Sequence, residues 1–222
     1  MPDRWASFDC YGTLVDWRVG IGSTLARLWP QADAGELLER YYEIEPRVQL
    51  EGALPYREVL RQTLRLLAED AGLALSPSNE YALAESLPSW PAFAEVPEEL
   101  RRLRTHGWRL AILSNTDPDL LTASLDRIGV PVDATVTAAD AGSYKPAHGH
   151  WLRLRDLAPP GVNRHVHVAA SLFHDIEPAA ELGIPAVWIN RLGETSDLPR
   201  AAELESLAGL ADVLDSLVPA TL

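Results

Sequence analysis

The sequence predicts an α/β fold, a parallel sheet covered on both faces by helices, with a helical insert after the first strand. Three observations predict it. From about residue 92, short apolar runs alternate with amphipathic segments, the order that parallel strands and their helical crossovers require. Before that point a lone strand at 4–9 is followed by segments that read only as helix, from about 16 to 90. Hydrophobic residues make up 47% of the 222, enough to bury a sheet on both faces.

The first element lies in "WASFDCYGTLVDW", where an apolar run ends at Asp9 and Gly12 marks a turn. Helical segments follow at about 19–30, 34–50, 55–72 and 78–88. In "YREVLRQTLRLLAEDAGL", Val59, Leu60, Leu64, Leu66 and Leu67 recur at helical spacing, and Gly72 is placed to end the helix. "EELRRLRTHG" reads as a helix closing at Gly107, and "WRLAILS" as a buried strand near 109–114. "DPDLLTASLDRIG" is a helix with Asp117 as N-cap and Pro118 at its first position. "DATVTA" (strand, 134–138), "AHGHWLRLRDLA" (helix), "HVHVAA" (strand, 166–170), "EPAAELGI" (helix) and "AVWIN" (strand, 185–189) continue the alternation, and a helical stretch closes it.

Charge and cysteine content narrow the function. Lys and Arg number 19 against 32 Asp and Glu, a net charge of −13, which argues against nucleic acid or an anionic membrane as partner. The single cysteine, Cys10, excludes an internal disulfide and a cysteine-rich metal site. Strand alternation sends Cys10 and Asp9 to opposite sides, so Cys10 reads as packing. No apolar run approaches the roughly 20 residues of a membrane span, and no signal-peptide pattern opens the chain. A cytoplasmic protein is expected.

In parallel sheets the reactive groups collect where strands end. Asp9 ends the first strand and Ser114-Asn115 the second; Lys145 follows the third, and Ser171 and Asp175 follow the fourth. Each alone has an ordinary reading as turn, cap or solvated residue, but four successive strand ends do not share one by chance. Asp9, Thr13, Ser114, Asn115, Lys145 and Asp175 are therefore expected to line one cleft. Lys145 reads as a residue of the sheet's edge, whose loss would cost turnover but little stability.

"FDCYGTL", "LSNTD", "SYKP" and "SLFHDIEPAAELGIPAVWINR" resemble, in order, the four motifs of the haloacid dehalogenase-like hydrolase superfamily. The resemblance implies a Rossmann-like core of residues 1–15 and 91–222, a helical cap of residues 16–90, and Asp9 as nucleophile. It is closest to the L-2-haloacid dehalogenase (type II) branch, which carries tyrosine two residues after the nucleophile, as Tyr11 stands here. Phosphatases of the superfamily carry an aspartate there to protonate a leaving alkoxide, whereas a halide leaves without a proton. They also present a carboxylate for magnesium where this chain has Ala170. Dehalogenases resembling this chain have serine at position 170, asparagine where Leu172 stands and tyrosine where Trp151 stands.

What the resemblance implies is hydrolytic dehalogenation of a small 2-haloacid through an aspartyl ester. Asp9, Lys145 and Asp175 would be catalytic. Tyr11, Thr13, Ser114, Asn115 and Arg40 would bind substrate, with Arg47 the rival of Arg40 for the substrate carboxylate. No metal and no cofactor are expected, with magnesium only under a phosphatase alternative, and a non-catalytic binding protein of this fold is the third alternative. The expected partner is a small anionic molecule, and a homodimer stays open.

Overall fold

The computed structural model describes residues 4–50, 54–157 and 164–220. In chain order the elements begin with β1 (Arg4–Phe8), α1 (Trp17–Leu28), α2 (Ala34–Leu50), α3 (Tyr56–Asp70) and α4 (Ala82–Ser86). They continue with α5 (Val96–Thr105), β2 (Trp108–Ser114), α6 (Pro118–Ile128), β3 (Ala134–Thr137), α7 (Ala138–Ala141) and α8 (Gly149–Leu157). The last are β4 (His165–Ala169), α9 (Glu177–Glu181), β5 (Ala186–Ile189), β6 (Ala202–Leu204) and α10 (Leu210–Leu217). They form two compact units, one of Met1–Val15, Ala92–Asn115 and Ile128–Leu222, the other of Asp16–Pro91 and Thr116–Arg127.

The first unit is a six-stranded sheet in the order β3-β2-β1-β4-β5-β6, parallel throughout. All five residues of β1 are buried, as expected of a central strand covered on both faces. One face carries Trp5, Ala111, Leu113 and Val136, packed with Trp151 and Leu154 of α8. The register pairs Trp5 with His165 and Ser7 with His167, and a two-residue period sends all four to one face. Polar side chains thus enter an apolar layer there.

Five of the six strands fall where the sequence predicts them. The three-residue β6 pairs with β5 and is too short to show a period. The helix expected at 78–88 is broken into a 3-10 turn at Pro77–Asn79, the single helical turns of α4, and a second 3-10 turn at Leu87–Ser89. Pro88 explains the second break, since proline has no N–H to continue the helical hydrogen bonding.

In the second unit, α3 buries Val59, Leu60, Leu64 and Leu67, but Leu66 is exposed, one step off the stripe. Gly72, at φ 64°, ends that helix with the Leu73 N–H on the Ala68 carbonyl at 2.8 Å. Gly20 in α1 meets Trp90 so closely that an added Cβ would lie 2.2 Å from the indole Cγ. Asp117 corrects its expected role in part: its carbonyl accepts the Leu121 N–H, but its carboxylate caps α3 instead, taking the Tyr56 and Arg57 N–H groups at 2.8 and 3.1 Å.

Candidate active site

The site is assembled at the carboxyl ends of β1, β2 and β4. Directly after β1, Asp9 turns into a tight loop in which the Leu14 and Val15 N–H groups return to the Cys10 carbonyl. Gly12, at φ 97°, supplies backbone that other residues adopt only under strain. The loop is tied from β5 as well, because the Arg191 guanidinium donates to the Thr13 carbonyl at 2.9 Å and to Glu95 at 2.7 Å.

Lys145 is the hub. Its side chain is 1% exposed, and Nζ spends its three donors on Asp9 Oδ1 at 2.8 Å, Asp175 Oδ1 at 2.7 Å and the Leu113 carbonyl at 2.9 Å. The expectation of an edge lysine cheap to remove is therefore wrong: the ammonium is interior, and it lies between two buried carboxylates. Asn115 fixes its backbone, accepting from the Lys145 N–H at 2.7 Å and donating to the Lys145 carbonyl at 3.1 Å. The Lys145–Pro146 peptide is cis.

Asp175 arrives by an unexpected route. Instead of preceding a plain helix, it sits in a π-turn, Leu172–Ile176, whose start is capped by the Ser171 hydroxyl accepting from the His174 N–H. The wide turn brings its fully buried carboxylate to Lys145. Burial raises the proton affinity of Asp175, but Lys145 and then His167 outweigh it and hold the group well below the ordinary carboxylate range. For Asp9, burial pushes the carboxyl upward, Lys145 opposes this, and the nearby Asp175 charge adds to the rise. Burial also pulls Lys145 down, but Asp175 and Asp9 carry it above its usual value. The arrangement is one ammonium between two carboxylates, with the deeper carboxylate the more firmly ionised.

Thr13, fully buried, donates to Asp9 Oδ2 at 2.9 Å and accepts the Ala170 N–H at 3.0 Å. Each Asp9 oxygen thus faces a side-chain donor. Ser114 is buried, and its carbonyl accepts from His150 Nε2 at 3.1 Å. Tyr11 is half-buried in the Asp9 loop. Asp9, Thr13, Asn115, Lys145 and Asp175 thus meet in one hydrogen-bonded group. Arg40 belongs to the second unit, where it is 48% exposed and pairs with Asp70 at 3.3 Å; Arg47 is exposed there too. Cys10 is buried and its thiol is pushed well above its ordinary range by burial and by Asp9, which fits packing rather than nucleophilic chemistry.

Sequence reasoning missed the histidines behind Asp175. His167 Nε2 donates to Asp175 Oδ1 at 3.0 Å, its Nδ1 lies 2.8 Å from Ser7 Oγ, and Ser7 Oγ lies 2.6 Å from His165 Nε2. The signal was present in "HVHV", where alternation puts both rings on one face of a strand that the fold buries.

The donor set does not suit magnesium. The two carboxylates already share an ammonium, and residue 170 offers a methyl where an octahedral oxygen shell needs another ligand. Among the described residues no group of three or more His, Cys, Asp or Glu is placed to hold a metal ion, and no helix is long and apolar enough to cross a membrane.

Residues 4–183 match the haloacid dehalogenase-like hydrolase family. The (S)-2-haloacid dehalogenase of Pseudomonas sp. (strain YL) is 28% identical over 207 residues, 84% of this chain and 82% of that protein. The L-2-haloacid dehalogenase from Xanthobacter autotrophicus, solved with chloropropionic acid covalently bound, superposes with a TM-score of 0.86 at 17% identity, over 97% of this chain and 100% of the other. The hydrolase YfnB from Bacillus subtilis, solved bound to magnesium, superposes at 0.83 and 17% identity with the same coverage. The fold alone is therefore shared by metal-bound and covalently loaded relatives.

Proposed function

The chain belongs to the haloacid dehalogenase-like hydrolase family, and we propose that it hydrolyses a small 2-haloacid through an ester on Asp9. The observation that carries this is the pairing of Asp9 with a buried ammonium, in a loop whose residue 11 is tyrosine rather than a second carboxylate. Such a site supports a nucleophile and places no carboxylic acid at residue 11 for the group that leaves as Asp9 attacks, which a halide does not need.

In the first half-reaction an Asp9 oxygen attacks the carbon bearing halogen, the C–O bond forms in line as the carbon–halogen bond breaks, and halide departs. Lys145 holds the attacking carboxylate in place and offsets its repulsion from an anionic substrate. In the second, water attacks the Asp9 carbonyl carbon, and the Thr13 hydroxyl, which faces Oδ2, meets the charge that gathers there. Asp175 takes the proton of the water. Asn115, engaged at both its amide atoms with Lys145, acts by holding that lysine, and Ser114 is the remaining donor of that strand end for the substrate carboxylate. Arg40 is the proposed cationic contact for the same carboxylate, and Tyr11 an aromatic wall for the halogen-bearing carbon. No metal enters this scheme. Both relatives named for haloacids bear the activity proposed here.

The test is halide release by purified protein from short 2-chloro- and 2-bromoacids of each hand, beside hydrolysis of phosphate esters, with and without chelator. The reading expects halide release from one hand that survives the chelator. Phosphate-ester hydrolysis that the chelator abolishes, without halide release, contradicts it.

A further inference from the structure

Asp175 has two carboxylate oxygens in unlike situations. Oδ1 accepts from both Lys145 and His167, whereas Oδ2 is buried and, among the described residues, has no hydrogen-bond partner. A buried, firmly ionised oxygen left without a donor carries a desolvation penalty that a native structure rarely keeps without reason. Residues 170 and 172, alanine and leucine, carry no side-chain donor, and Leu172 packs against an apolar cluster that includes Ile176 and Trp188.

The support for Oδ1 comes instead from the sheet. A carboxylate only accepts, so His167 must carry hydrogen on Nε2. His167 Nδ1 in turn shares a hydrogen bond with the Ser7 hydroxyl, whose oxygen also lies against His165 Nε2, so His165, Ser7, His167 and Asp175 form one connected chain. The Trp151 ring packs against the imidazole at an interplanar angle of 73°, the centroids 5.3 Å apart. Among the described residues, Lys145 from the loop before α8 shares Asp175 Oδ1 with His167, and His150 from α8 lies near enough to His167 to feel its charge.

We propose that His167 is a positioning residue for ester hydrolysis: it commits Asp175 Oδ1 to the interior and leaves Oδ2 to meet the attacking water. The proposal rests on the reading of Asp9 as an ester-forming nucleophile. In the step it serves, the water oxygen bonds to the Asp9 carbonyl carbon as a proton passes to Asp175 Oδ2. The bond from that carbon to the product oxygen then breaks, the product alkoxide takes the proton back from Asp175, and the Asp9 carboxyl loses its own proton to solvent. Alkylation of Asp9, by contrast, makes no use of Oδ2.

The experiment compares His167→Leu, His167→Gln and Ser7→Ala with the parent protein. One readout needs no reaction: the titration of the Asp175 carboxyl followed by its carbon-13 shift. In His167→Leu it should move upward, and His167→Gln, which keeps a donor near Nε2, should restore most of the shift. The second readout is single-turnover kinetics. Halide release should stay within about twofold of the parent while ester hydrolysis slows on the order of 100-fold, so that a mass adduct accumulates on Asp9 and the acid limb of turnover moves to higher pH. Ser7→Ala should change both in the same direction by less. Equal slowing of the two half-reactions, or an Asp175 titration indifferent to residue 167, would overturn the proposal. Should His167→Leu fail to fold, His167→Gln and Ser7→Ala carry the same comparison. A parent protein that releases no halide, yet whose Asp175 titration follows His167, sinks the dehalogenase reading and supports the positioning.

Discussion

The two units differ in where their decisive charges lie, although both carry surface ion pairs, such as Arg102–Asp212 and Arg200–Glu203 in the sheet unit. The sheet unit places its decisive charges inside, with Lys145, Asp9 and Asp175 all buried beside His150, His165 and His167. The helical unit spreads its pairs over the surface, as in Arg18–Glu39, Arg40–Asp70 and Arg57–Asp119. Interior charges interact strongly and cost much to desolvate, and surface pairs do neither. The difference teaches that the ion pairs of this protein serve its chemistry where they are few and deep, whereas the helical unit depends for stability on apolar packing.

The comparison breaks most readily at Lys145. Lys145→Met keeps the volume but leaves two carboxylates buried without their cation, and should destabilise the protein by about 3–5 kcal/mol while lowering turnover by orders of magnitude. Urea unfolding beside halide release measures both, and a variant as stable as the parent would show that the interior charges do not depend on one another. In the helical unit the sharpest cost should come from packing. Gly20→Ala drives a methyl into the Trp90 ring and should cost about 1–3 kcal/mol, read as a lower urea midpoint with an unchanged slope.

Mild acid should separate the units. Burial pulls His165 down to about 3 and His150 to about 4 from an ordinary value of 6.5. Below pH 6.5 the unfolded chain therefore binds protons that the folded sheet unit refuses, and stability is lost as pH falls. Glu45 in α2 is pushed by burial from 4.5 up to about 7, so there the folded form holds the extra proton and stability rises from pH 7 toward pH 5. Hydrogen-exchange protection, corrected for intrinsic rates, should fall in β1 and β4 and rise in α2 over that interval. Movement of both units in one direction would remove the contrast. The smallest effect belongs to Arg40→Ala: an exposed pair with Asp70 should contribute under about 1 kcal/mol, while KM for a 2-haloacid should rise with kcat little changed. An unchanged KM would take Arg40 out of substrate binding.

Much of this was legible in the sequence for physical reasons. Strands buried on both faces are continuous apolar runs, and parallel order forces helical crossovers, so β1 to β5 declare themselves, and the residues at their ends follow. What stayed hidden depends on tertiary context. A three-residue edge strand such as β6 carries no period. Asp117 reads as the cap of its own helix because nothing local shows α3 waiting for its carboxylate. Lys145 looks like a solvated residue until two carboxylates from other strand ends close on it. His167 looks like a strand residue until Ser7 on β1 and Asp175 in a π-turn give its ring two partners. Arg40 and Tyr11 draw their proposed roles from resemblance, not from any pattern that spacing could reveal.

The central claim is that Asp9 attacks carbon and becomes an ester, and the fate of oxygen tests it most directly. In a single turnover with enzyme in excess, run in oxygen-18 water, the product hydroxyl takes its oxygen from the Asp9 carboxylate, and water replaces that oxygen when the ester is hydrolysed. Mass spectrometry of the peptide containing Asp9 should therefore show the label on the protein, with unlabelled 2-hydroxy acid as product. Label in the first-turnover product and none on Asp9 would mean that water attacks the substrate directly, and would contradict the account.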